Sequence, residues 1–99
     1  MEKALISSAD KMRLRGLGQQ LEATLKVGKE GLTPAFFTEL DRQMRTHELV
    51  KLRFLGADRH QRANLCLEIA EKGRCACVGA VGHTALFYRP SSEQDTVVL

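Results

Sequence analysis

The 99-residue sequence predicts an α/β protein: a two-layer sandwich with a four-stranded mixed sheet and helices packed on it, in the order α-β-α-β-α-β-β. Three observations predict it. Residues 49–55 alternate, Val50, Leu52 and Phe54 pointing one way and Lys51 and Arg53 the other, which is the period of a strand with one covered and one basic face. Two helix-period segments carry start signals, Thr33-Pro34 and Asp58. Two strand-like runs, 75–81 and 84–88, are separated only by Gly82-His83, the spacing of a tight hairpin.

The elements follow in order. Ser7 or Ser8 caps a first helix through Asp10, Met12, Leu14 and Leu17, and Gly16 and Gly18 place its end nearby. Leu14, Leu17 and Leu21 make its apolar side, with Lys11 and Arg15 four apart on another. A short strand fits Thr24 to Val27. The second helix begins at Thr33 and runs to about His47, burying Phe37, Leu40 and Met44 with Phe36 alongside. Gly56-Ala57-Asp58 ends the alternating strand, and a third helix runs from Arg59 to about Lys72, stopping at Gly73. Ala63, Cys66, Ile69 and Ala70, with Leu65 at the margin, form its apolar side. Gly79 inside the next strand is a bulge signal. Residues 1–90 are expected to be one domain and 91–99 a mobile polar tail.

Composition narrows the function classes. The apolar fraction of 43% and charged fraction of 27% are those of an ordinary soluble domain. No apolar run approaches the roughly 18 residues of a membrane span, and residues 1–6 lack a signal-peptide core, so a cytoplasmic location is expected. Three cysteines, two of them one residue apart, read as reduced thiols rather than a disulfide framework. The net charge is +3. Its whole excess lies in the first half, where ten Lys and Arg face seven acids over residues 1–53, against five and five over 54–99. That bias suits a polyanion partner.

Enzyme and metal readings find little support. Neither a phosphate-binding P-loop nor a dinucleotide-binding glycine motif is present. Cys75, Cys77 and His83 resemble zinc ligands superficially, but a CxC within a strand lacks the looped knuckle of structural zinc sites. His47, His60 and His83 fit a helix end, a first helical turn and a hairpin turn. We therefore expect no catalytic residue, metal or cofactor. Gly79-Ala80-Val81-Gly82 is a GxxG in hairpin context and is assigned to backbone geometry.

The most informative stretch is Gly28-Lys29-Glu30-Gly31, followed at once by Leu32-Thr33-Pro34. Two glycines let backbone approach a ligand closely, and a capped helix start directly after them offers N–H groups and a positive dipole end to a phosphate. A plain strand-to-helix turn without ligand fits the same letters. The basic candidates around it are Lys26 and Lys29 beside the loop, Lys51 and Arg53 on the strand, and Lys11 and Arg15 on the first helix. With four Phe, one Tyr and no Trp, contacts through cations and amides are expected rather than an aromatic stacking platform.

Leu14-Arg15-Gly16-Leu17, Val27 to Thr33, His47 to Arg53 and Val81 to Pro90 together resemble the CRM domain, named for chloroplast RNA splicing and ribosome maturation, and in particular its free-standing bacterial YhbY-like members. The resemblance implies an RNA-binding module with a four-stranded mixed sheet, a fold like the C-terminal domain of translation initiation factor three, and association with precursors of the large ribosomal subunit. It carries the loop role to Gly28, Lys29, Glu30 and Gly31 with Thr33 behind them, the basic strand to Lys51 and Arg53, and the closing motif to Arg89. Glu30 departs from a purely cationic loop, and Arg89 has an alternative role in pairing with an acid. A protein-interaction adaptor in ribosome maturation, using the same basic face, is the alternative function.

Overall fold

In a computed structural model, which describes residues 8–89, the alternating segment forms the sheet's central strand β2, Leu49–Phe54. On one side it pairs in parallel with β1, Leu25–Val27, and on the other antiparallel with β4, Thr84–Tyr88; β3, Ala76–Val81, lies outside β4. The α/β class, the element order and the mixed four-stranded sheet are as the sequence predicts. Ser7, Pro90 and the segment 91–99 lie outside the described residues.

The sheet's first face carries the main core. Val50, Leu52 and Phe54 of β2, Leu25 and Val27 of β1, and Ala85 and Phe87 of β4 pack against helices α2, Pro34–Thr46, and α3, Arg59–Gly73. α2 contributes Phe36, Leu40 and Met44, and α3 contributes Cys66 and Ile69. Phe36, not Phe37, is the buried ring of the pair; the two meet edge to face, 5.2 Å between centroids. Ala63, expected on the apolar side of α3, is exposed.

Both helix starts use the side chains the sequence offers. Thr33 Oγ1 accepts the N–H of Phe36 at 3.1 Å, with Pro34 at the first helical position. Asp58 accepts the N–H of Gln61 at 2.8 Å while Gln61 Oε1 accepts the N–H of Asp58 at 2.9 Å. Such caps are worth about 1 kcal/mol each. At the other end of α3 the left-handed residue is Arg74, φ +55°, rather than Gly73. Gly73 meets a packing demand instead, since a Cβ there would stand 2.8 Å from Leu40.

The expected open basic face is half covered. α1, Ser8–Gly18, crosses the second face and packs Leu14 onto Val78, Leu86 and Tyr88. Gly18 permits this approach: a Cβ on it would lie 2.1 Å from Leu86 Cδ1. Leu17 and Leu21 are 53% and 38% exposed, so the predicted stripe reduces to Leu14, because the helix ends at Gly18 and meets the sheet through that glycine. β3 breaks its register between Cys77, opposite Phe87, and Gly79, opposite Leu86. The extra residue is Val78, which is buried in the second-face cluster.

Candidate nucleic-acid interface

The strand register sets out the second face row by row. Lys26 of β1 stands beside Arg53 of β2, then Thr84 of β4 and Val81 of β3. The next row is Lys51, Leu86 and Gly79, and the next Leu49 and Tyr88. α1 covers Leu86 and Tyr88 and leaves the row through Lys26 and Arg53 open, where both cations are exposed. Neither engages an acid among the described residues.

The 28–31 loop leaves the sheet at the same end. Gly31 N–H donates to Gly28 O at 3.0 Å, with Gly31 at φ +75°, and Leu55 N–H donates to Val27 O at 2.8 Å. Gly28, Lys29 and Glu30 are exposed, while the Thr33 hydroxyl is engaged as the α2 cap. A Cβ at Gly28 would meet nothing within 4 Å, and its φ is not positive, so packing requires no glycine there. Gly31 needs one for its backbone. Two further segments meet this end of the sheet: Phe54 N–H donates to His83 O at 2.7 Å, and Arg62 donates to Ala57 O at 2.8 Å with His83 Nδ1 3.4 Å away. Thr84 is a position the sequence patterns do not single out; only the pairing of β2 with β4 brings it beside Arg53.

The remaining predicted cations are placed less uniformly. Lys51 Nζ donates to Gly18 O and Leu21 O, at 3.4 and 3.2 Å, so this half-buried cation closes the carbonyl end of α1. Arg15 Nε donates to Val78 O at 2.8 Å, and the side chain lies across Gly79. Lys11 precedes it by one turn on α1. Arg89 is apart from the face: it donates to Asp41 Oδ1 at 2.9 Å and to Gly73 O at 2.7 Å, tying β4 to α2 and α3. Its pairing with an acid is what the geometry shows. Arg45 and then Arg89 hold the Asp41 carboxyl below its ordinary value.

The thiols belong to the first-face core. Interaction between Cys66 and Cys77 pushes the first thiol up and draws the second down, and burial pushes Cys75 up to about 12. Cys75 Sγ is 3.7 Å from Ile69 O. Among the described residues no group of three His, Cys, Asp or Glu side chains is placed to hold a metal ion, and no helix is long and apolar enough to cross a membrane.

Comparison with known proteins places the chain in a family. The family model described as the CRS1 / YhbY (CRM) domain matches residues 6–89. A protein of Haemophilus influenzae named "RNA-binding protein" is 33% identical over 88 residues, 89% of each chain. A Pseudomonas aeruginosa protein named "Probable RNA-binding protein PA4753" is 32% identical over 90 residues, 91% of this chain and 86% of its own. The solution structure of protein SAV1595 from Staphylococcus aureus superposes with a TM-score of 0.82 at 23% identity, covering 96% of this chain and 99% of that one.

Proposed function

The chain belongs to the CRS1/YhbY (CRM) domain family, and from that membership we propose that it binds RNA through the open half of the sheet's second face and the adjoining 28–31 loop. The observation that carries the proposal is the pairing of Lys26 with Arg53. Like charges directly across a strand pair destabilise a sheet by a few tenths of a kcal/mol or more. An anion lying over them removes that repulsion, and RNA supplies one per nucleotide. Gly28 adds support, because a glycine that packing does not require leaves room for a backbone-to-phosphate approach. Lys29 lies on that loop, with the start of α2 directly behind it.

Phosphate contacts hold and orient RNA and read little of its sequence. The role is binding without chemistry. The RNA is ribosomal, carried in precursors of the large subunit in the cytoplasm, where the protein acts in assembly. The names of the relatives support RNA as the partner; the ribosomal assignment extends the family resemblance.

The test is Lys26→Glu. An opposite-charge pair with Arg53 makes the free protein more stable, while RNA affinity falls at least fivefold in fluorescence anisotropy. Unchanged affinity in Lys26→Glu and in a Lys26→Glu/Arg53→Glu variant refutes the proposed face. Sedimentation of the tagged protein with large-subunit precursors, lost on ribonuclease treatment, tests the ribosomal assignment.

A further inference from the structure

We propose that a groove at the end of α1 holds one unpaired nucleotide of RNA, its base against Arg15 and its phosphate toward Lys51 and the Lys26–Arg53 pair; this rests on the RNA-binding reading above. The groove has a volume of about 400 Å³. Arg15, Gln19 and Lys51 line it together with Val81, Thr84 and Leu86 of the sheet's second face, and Gly18 and Gly79 border it. That volume is within the range of roughly 300–1,000 Å³ of small-molecule sites.

The lining favours a base. The side chains that Leu86 and Val81 turn to it are apolar and Gly79 has none, which suits the face of a ring. Arg15 is fixed against the strand: the Cβ position of Gly79 is 2.9 Å from its Cγ and 3.1 Å from its Nε, and Nε donates to Val78 O. One of the five guanidinium N–H groups is thereby used, and four remain. A planar guanidinium is a stacking surface for an unstacked base, and in a protein without Trp and with one Tyr it takes the place of an aromatic ring.

Charge orders the two ends of the ligand. The carbonyl end of α1 repels a phosphate but accepts hydrogen bonds from base amino groups. Lys51 already holds two of the nearby carbonyls and keeps a third N–H for the solvent side. Lys26 and Arg53 lie one row further along the open face. A base inside and its phosphate outside is the orientation this field selects. In a duplex the bases are stacked and paired, so only an unpaired nucleotide can enter.

The experiment compares a fluorescein-labelled 12-nucleotide single strand with a blunt duplex of the same sequence, using Val81→Phe, which fills the groove from an exposed strand position on the second face, and Arg15→Met. Expected is a fivefold or greater loss for the single strand in both variants and less than twofold for the duplex. Lys29→Glu, on the loop, should weaken both RNAs. Single-strand affinity within twofold of wild type in Val81→Phe, or equal losses for strand and duplex, overturns the groove while leaving the RNA-binding reading intact. Wild-type protein that binds neither RNA removes both. Should a variant fail to fold, the wild-type protein decides: uridine and adenosine 5′-monophosphates should shift the amide resonances of 79–81 and 84–86, and no shift there overturns the proposal.

Discussion

Gly16 and Gly18 stand two residues apart on α1, and alanine at each should change stability in opposite directions. A Cβ at Gly16 meets nothing within 4 Å, so Gly16→Ala gains helix propensity alone, about 0.5–1 kcal/mol. At Gly18 the same methyl would stand 2.1, 2.6 and 2.8 Å from Leu86 Cδ1, Cδ2 and Cγ, and Leu86 is only 8% exposed. Overpacking of that kind costs about 1–3 kcal/mol, more than the propensity it offsets. The two variants should therefore differ by about 2 kcal/mol. Urea unfolding at a common m-value measures it, and for a domain of this size the gap corresponds to roughly 8–16 °C in Tm. If Gly18→Ala were as stable as Gly16→Ala, α1 would not dock on the second face through Gly18, and the groove bounded by its end would have no basis.

Further outcomes follow from the same geometry. Gly28→Ala should fold like the wild type and lose RNA affinity, whereas Gly31→Ala should lose about 1 kcal/mol of stability from its left-handed backbone; thermal melts and anisotropy separate the two. If four to six phosphates of a single strand are engaged, log K should fall with log salt at a slope of about −3 to −4, and a flat response would contradict binding by charge. The depressed Asp41 carboxyl contributes stability that is complete above its ordinary value of 3.8 and is lost as the pH falls through its lower folded value. Asp41→Asn should therefore cost about 1 kcal/mol at neutral pH, given the partly exposed pair with Arg89, and flatten the loss of Tm on acidification below about pH 4.

Much of the fold is legible where one residue answers to one demand. Val50, Leu52 and Phe54 must go inward on β2, and Thr33-Pro34 and Asp58 have the chemistry of helix starts, so strand, caps and element order emerge from local patterns. The side on which α1 packs is not local. Leu14, Leu17 and Leu21 look like a stripe, yet contact is made through Gly18, whose lack of a side chain is invisible to hydrophobic periodicity. The site divides in the same way. Lys26, Lys29 and Arg53 are legible as surface cations beside a glycine loop, but that Lys51 closes a helix end and Arg89 bonds Asp41 and Gly73 depends on partners 16 to 48 residues away. The Arg15–Gly79 contact, 64 positions apart, leaves no trace in either segment's pattern.

The irregular β3 has a consequence for how the molecule behaves at high concentration. β3 is an outer strand of the sheet, and a regular outer strand is a template on which another chain can add. Here the Val78 insertion interrupts the spacing of its polar groups and Arg15 occupies the Val78 carbonyl, while the opposite border, β1, is three residues long. Neither border offers an incoming strand a continuous ladder, so the arginine that lines the groove, together with the extra valine, also guards the sheet against edge-to-edge aggregation.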